Sequence, residues 1–438
     1  MTWHIRYIGL LFSSTAVTYG TALLLARHSE KKRRKLYLSA GVGFTLGILF
    51  IFKYFNFFNH MGRTVFRFLN VSYSIPDISL PLPVGISFYT FFLVGYLIDI
   101  YRNTAKAEKH FGVFAAAVAF FPLLLAGPIE RAKSFLPQFF EEHQFDFRRV
   151  QNGVILMLWG FFKKLVIADR LAIAVNQVYQ HPEQYHGLPL IVASIFIVFQ
   201  VYCDFSGYCD IALGAAQVLG FRLTNNFNRP FASRSVSEFW RRWHISLSTW
   251  MRDYVYYPLA LNKHLNGKWG IITATLITFG LIGLWHGAEW KYLFMGCIYG
   301  AAIAYEILTK KVRLKIGEKI PARLYDAFCL IATFCLINFS FIFFKAANIQ
   351  QGFYIVTNMF SDFELRWIDI GLSSTDIAIA LAALVLLEAI QLIQSRVDIE
   401  HYIATKPRYM RWTVYYTLVF AIIIFGIFSD TKFIYFNF

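Results

Sequence analysis

The sequence predicts an all-α polytopic membrane protein, and three observations carry that reading. Apolar residues make up 57% of the 438 positions and charged residues 16%, against about 45–50% and about 25% in an ordinary soluble domain. Phenylalanine alone contributes 47 residues, more than a water-facing surface can carry. The apolar residues also gather into runs of about 20, the length a helix needs to cross a bilayer core. Together these exclude an ordinary soluble enzyme. The 42 Lys+Arg exceed the 26 Asp+Glu, and they lie between the apolar runs. The basic excess therefore marks cytoplasmic loops and not a nucleic-acid surface. The length would admit about three soluble domains, but the runs predict one integral membrane domain over 1–438.

Candidate spans begin near Tyr7, Leu36, Pro83, Phe111, Val154, Leu188, Trp269, Lys291, Leu324, Thr375 and Trp412. The first run has no small-residue cleavage site and ends in the basic stretch 27–35, so it reads as a span with a stop-transfer flank and not as a signal peptide. In the second, Gly43 and Gly47 fit small-xxx-small helix packing. The positive-inside rule assigns the basic connections 27–35, 101–109, 310–319 and 396–411 to the cytoplasm and the amino terminus to the outside. The stretch 229–268, with seven Lys/Arg, joins them. Between Lys109 and Arg229 the chain must then cross an even number of times, yet three apolar segments lie there. One of them is expected to re-enter. Such backbone at membrane depth is tolerated only against protein or a water-filled cavity, so the crossing count points to a cavity. Pro81-Leu-Pro-Val-Gly85 and Phe121-Pro-Leu-Leu-Leu-Ala-Gly-Pro-Ile-Glu-Arg131 are the expected interruptions, because proline breaks helix.

The five cysteines, Cys203, Cys209, Cys297, Cys329 and Cys335, form no disulfide framework and have no zinc spacing. They read as small buried hydrophobes. There is no solenoid repeat, and no matched pair of interrupted segments marks a transporter.

The polar constellation runs from Gln200 to Trp290. Asp204 and Asp210 lie in a long apolar segment, where an ionised group costs at least about 2.5–3.5 kcal/mol. They are expected to face a polar cavity or to pair with a cation such as Arg229 or Arg234. Asn225-Asn-Phe-Asn-Arg-Pro230 reads as a turn. Ser235 and Glu238 have capping-box spacing and start a helix. Phe239, Trp243, Leu247, Trp250 and Tyr254 then share one face, with Arg241, Arg242 and Arg252 on the other side. That pattern predicts a helix lying in the membrane interface. His244 falls at the edge of the aromatic face, as a structural ring or a functional one. His286 lies in Gly283-Leu-Trp-His-Gly-Ala-Glu-Trp290, at the end of an apolar run. Burial disfavours the charged imidazolium and leaves a neutral ring able to take a proton, as a general base must. Function and structural hydrogen bonding both stay open for it on the residues alone. The flanking Gly283 and Gly287 let backbone or ligand approach closely. The signatures GxSxG, HExxH, a Walker loop and GxGxxG opening a helix are missing.

Five stretches carry a family resemblance: PVGISFYTFFLVGYLIDIYR from Pro83, AGPIERAKSFLPQF from Ala126, DFSGYCDIALGAAQVLGF from Asp204, NFNRPFASRSVSEFWRRWHISLSTWMRDYVYYPL from Asn226, and GLWHGAEW from Gly283. With them the chain resembles the membrane-bound O-acyltransferase family, and most of all its bacterial alginate O-acetylation branch. The likeness covers about 31–308 and, more loosely, the helices of 309–438. It implies a ring of transmembrane and re-entrant helices around a central funnel or tunnel, in a bacterial cytoplasmic membrane. It implies an O-acyltransferase that moves an acetyl group from a cytoplasmic acyl thioester, acetyl-coenzyme A by analogy, to an extracytoplasmic polysaccharide. No bound cofactor or metal is expected. An extracytoplasmic acetyltransferase partner protein is expected to share the final transfer. The catalytic positions fall on His286 and His244. Trp285, Trp240, Arg241, Arg242, Asp204 and Asn228 form the candidate substrate-binding set, the arginines attracting an anionic donor or lipid headgroups. D-alanyl transfer to teichoic acid and peptidoglycan O-acetylation are the alternatives within the family. A polysaccharide-precursor flippase lined by Asp204, Asp210 and His286, or a scaffold subunit, are those outside it. Similar proteins carry further apolar sequence before the basic stretch at 27–35, so a short member or a late start is expected.

Overall fold

Continuous apolar runs leave a chain in lipid only helical ways to satisfy its backbone. The computed structural model describes residues 6–262, 267–361, 369–397, 402, 405–428 and 433–434, and no strand occurs among them. Helices α1 (Arg6–Arg27) and α2 (Lys31–Leu49) pack on each other across the basic turn, and α2 continues through a π-turn (Phe50–Tyr54) into α3 (Phe55–Phe68). Helix α4 (Ile86–Tyr101) follows, and then the short α5 (Phe111–Val118), α6 (Phe121–Leu124) and α7 (Ala132–Phe135). Helix α8 (Phe147–Phe161), a π-turn (Phe162–Ala168) and α9 (Asp169–Gln180) form one rod against α10 (Leu188–Leu219). Then come α11 (Val236–Arg242), α12 (Ile245–Met251), a π-turn (Arg252–Tyr256) and α13 (Tyr257–Ala260). The chain closes with α14 (Gly267–His286), α15 (Trp290–Lys319), α16 (Ala322–Lys345), α17 (Ile349–Asn358), α18 (Ser374–Gln394) and α19 (Arg408–Phe425).

Seven helices among the described residues are long and apolar enough to cross a membrane. Between Lys109 and Arg229 only α10 is among these seven, with the α8–α9 rod packed along it. The segment at Phe111 breaks into α5 and α6, and eight residues of helix reach only about 12 Å. The basic connections 27–35, 101–109, 229–268 and 310–319 gather at one end, and 396–411 lies partly outside the described residues. Arg34 donates to the carbonyls of Ile100 (2.8 Å) and Tyr101 (3.0 Å). Arg102 donates to the Asp253 carbonyl (3.1 Å), Arg131 pairs with Asp253 (2.9 Å), and Arg234 pairs with Asp326 (2.8 Å).

Helix α4 lies at the centre and is buried along most of its length, as a helix apolar on all sides must be. Its Phe88, Phe91 and Val94 face the larger core, built mainly from α8–α12 and α14–α18, while Tyr89, Phe92 and Tyr96 face the core of α1, α2 and α5. At its start Gly85 takes φ +79, and a Cβ there would lie 1.9 Å from the Leu124 carbonyl. The two segments expected to be interrupted thus lock together, backbone on backbone.

Several expectations are corrected here. Gly43 and Gly47 meet open space, and it is Gly41 that packs tightly, against Thr21. The close small-residue contact lies elsewhere, with Gly153 on the Gly214 carbonyl and Gly160 on the Gly207 carbonyl between α8 and α10. Of the cysteines only Cys203 and Cys209 are buried, while Cys297 and Cys335 are exposed on the outside of the bundle. In a membrane a lipid-facing position is as apolar as a core position, so composition does not separate the two. Asp204 and Asp210 pair with neither Arg229 nor Arg234. Their partners are Lys164 (2.7 Å) and Lys163 (2.6 Å), presented by the π-turn of the neighbouring rod, with Asp169 also on Lys164 (2.8 Å).

A Cβ at Gly160 would sit 2.5 Å from the Gly207 carbonyl, so Gly160→Val must push α8 off α10. Overpacking costs about 1–3 kcal/mol. A lower midpoint of thermal unfolding in detergent is expected, whereas Gly43→Val should leave it unchanged.

Candidate active site

The site is assembled where two helices end. Ser235 caps α11 as expected, its Oγ accepting from the Glu238 N–H (3.0 Å). The helix does not run on to Tyr254. It stops at Arg242, and His244 takes a left-handed conformation (φ +43) before α12 begins. A non-glycine residue held there costs about 1–3 kcal/mol and persists only where its surroundings dictate it. The turn 225–230 supplies that constraint. The Asn228 N–H donates to the Arg242 carbonyl (2.9 Å), the Ile245 N–H to the Asn226 carbonyl (3.0 Å), and the Ser246 N–H to Asn226 Oδ1 (3.1 Å). Nor is this an interfacial helix. Phe239, Trp243, Leu247 and Trp250 are buried in protein, because the break folds the aromatic face inward against α4, α10 and α15.

The break turns the His244 ring into the core, fully buried, with Phe205 at 4.7 Å and Trp285 at 5.6 Å between ring centroids. Trp285 and His286 are the last two residues of α14. The Trp285 indole lies against His286 (4.8 Å) as well as His244, with Phe91 of α4 alongside at 5.9 Å. Phe344 closes the far side of His286 (5.5 Å). Gly283 and Gly287 admit α15 and no ligand: a Cβ on either would lie 2.2 Å from Tyr292, from its carbonyl at Gly283 and from its ring at Gly287.

Two cavities approach this cluster at different depths of α14. A crevice of about 30 Å³ is lined by Lys53, Pro83, Ser87, Leu125, Trp285 and His286. It lies at the end of α14 away from the basic connections. A wider groove of about 560 Å³ is lined by Trp240, Arg241, Arg252, Thr278 and Ile282 among others. Ile282 stands four residues before His286, so about 6 Å of helix separates the two.

The structure therefore brings His286, His244 and Trp285 together, with Trp240 and Arg241 on the adjoining groove. It does not bring the remaining candidates to either cavity. Arg242 pairs with Glu238 (2.7 Å). Asn228 is exposed and serves the helix break through its backbone. Asp204 points away to Lys164 and accepts from the Ile434 N–H (2.7 Å). The residue that sequence reasoning missed is Lys53, whose Nζ donates to the Trp285 carbonyl (2.5 Å). The signal was present: a lone cation within an apolar run, the same mark that singled out Asp204. No group of three or more metal-ligating side chains occurs among the described residues.

Comparison with known proteins shows the family. The profile of MBOAT, the membrane-bound O-acyltransferase family, matches residues 110–345. The chain is 34% identical over 393 residues to the probable alginate O-acetylase AlgI of Azotobacter vinelandii, covering 88% of this chain and 76% of that one. It is 31% identical over 388 residues to the peptidoglycan O-acetyltransferase of Helicobacter pylori, covering 82% and 71%. It is also similar to the teichoic acid D-alanyltransferase of Streptococcus thermophilus, at 30% identity over 282 residues, covering 60% and 68%.

Proposed function

The chain belongs to the membrane-bound O-acyltransferase family and is an O-acyltransferase, and from that premise we propose that it carries an acetyl group from a cytoplasmic acyl thioester to an extracytoplasmic polysaccharide. The observation that carries this reading is the placement of two cavities on one helix, a basic groove and a narrow crevice, with one turn of α14 and the ring of Trp285 between them. The groove lies towards the basic end of the bundle, where the positive-inside rule puts the cytoplasm. The crevice opens towards the opposite end. A donor bound in the groove and a hydroxyl entering the crevice would meet at His286. The imidazole takes the hydroxyl proton as the oxygen attacks the thioester carbonyl, then returns it to the departing thiolate. Arg241 and Arg252 suit the phosphates of a coenzyme A-like or carrier-bound thioester. The chemistry calls for no cofactor. A crevice that admits a hydroxyl but no sugar ring supports delivery through an extracytoplasmic partner protein over direct docking of glycan. The relatives' acetyl chemistry favours acetyl over D-alanyl transfer. The membrane of this reading is the bacterial cytoplasmic membrane.

The test uses inverted membrane vesicles, whose lumen holds the polymer and any partner protein. Labelled acetyl thioester supplied outside should place label on the enclosed polymer only when this chain is present. Polymer that moves across without acquiring label would indicate a flippase instead. Charge reversal at Arg241 and Arg252 should raise the donor KM by about tenfold or more, because charge-assisted hydrogen bonds are worth about 1.5–3 kcal/mol. The rate at saturating donor should stay near that of the wild type.

A further inference from the structure

Lys53 is the one charged side chain lining the crevice, and the proposed chemistry leaves it without a task. It sits on the π-turn that joins α2 to α3, and such turns recur at functional sites. The residue is half-buried. It has no carboxylate partner among the described residues and donates only to the Trp285 carbonyl. An ammonium has three donors, so that bond anchors it and leaves two N–H groups to direct elsewhere. Lys53 and His286 line the same space of about 30 Å³, which is room for about one or two waters. A group held in that space is lined by both side chains. No acidic residue lines it.

We propose that Lys53 is a catalytic residue that holds the oxyanion formed during acyl transfer. This inference rests on the acyl-transfer reading above. The acceptor oxygen forms a bond to the thioester carbonyl carbon while its proton passes to His286. The C=O π pair moves onto oxygen and is met by the anchored ammonium. The pair then returns, the C–S bond breaks, and the thiolate recovers the proton from His286. A fixed donor aimed at developing charge in a water-poor site needs no reorganisation during the reaction, and removing one typically costs about 10²–10³ in rate. The hydrogen bond to Trp285, 232 residues away in the chain, fixes the ammonium beside the ring that handles the proton.

The test compares Lys53→Met and Lys53→Arg with the wild type, using the inverted vesicles and two donors: the acetyl thioester and its dithioester, in which sulfur replaces the carbonyl oxygen. A thiolate sulfur accepts hydrogen bonds weakly, so the dithioester reports what remains without an oxyanion. With the thioester, Lys53→Met should lower the maximal rate by about 10²-fold or more and leave both KM values nearly unchanged, while Lys53→Arg recovers a large part of the loss. With the dithioester the two variants should match the wild type closely. Equal slowing on both donors would reduce Lys53 to a clip for the end of α14 and overturn the proposal, as would a rate near wild type in Lys53→Met. If the wild type labels no acceptor at all, the acyl-transfer reading itself fails, which is a different outcome.

Discussion

His286→Ala is expected to lower acyl transfer by about 10²–10⁴-fold, the range by which a positioned acid–base group accelerates a reaction. The ring is buried, with Trp285 on one side and Phe344 on the other, and the crevice at its edge admits about a water's worth of atoms. Water is therefore poorly placed to replace the lost base. The substitution removes a ring at the end of α14, not from its interior, and the packing of Gly283 on α15 is untouched. The variant should insert and accumulate like the wild type. Labelled acetyl on the lumenal polymer is the readout, with the amount of protein in the membrane measured beside it. Wild-type labelling by His286→Ala would remove the imidazole from the mechanism.

Lys164→Met is expected to have the largest effect on stability. Lys164 Nζ lies 2.7 Å from Asp204 and 2.8 Å from Asp169, and all three side chains are almost fully buried. Breaking a buried pair by removing one partner costs about 3–5 kcal/mol, because the charge left behind has no compensation. Here two carboxylates would be left facing each other near the middle of the bundle. The expected result is a strong loss of protein from the membrane and a lower midpoint of thermal unfolding in detergent. Adding Asp204→Asn and Asp169→Asn to Lys164→Met should recover much of that loss, since residues in one network do not act additively. If Lys164→Met alone proves as stable as the wild type, the buried ladder contributes nothing to the fold.

The amount of this molecule that can be read from its residues follows from how far each signal reaches. A span is a local property, because twenty apolar residues in a row exclude water wherever they sit. Seven of the eleven candidate spans are accordingly helices long and apolar enough to cross a membrane, while the segment at Phe111 is broken into short helices. The prolines of 81–85 and 121–131 are local signals too, and both segments border the crevice at His286. The break at His244 left no such trace. An aromatic stripe at helical spacing is preserved across it, since Trp243 and Leu247 are core residues in either backbone, and the hydrogen bonds that make the break possible come from the turn at Asn226–Asn228.

What the sequence determined by itself was the solvent this chain lives in, the family it belongs to, and the histidine set at the end of an apolar run. Pairing was decided only by the tertiary structure. Lys163 and Lys164, and not the arginines nearer in sequence, answer Asp210 and Asp204, because antiparallel packing of the α8–α9 rod on α10 brings together residues some 40 positions apart. Lys53 reaches Trp285 in the same way. Coulombic attraction and hydrogen bonding act over a few ångströms of space and take no account of separation along the chain. The composition of a helix therefore tells where it lies, and only its neighbours tell which of its charges are structural and which are left for chemistry.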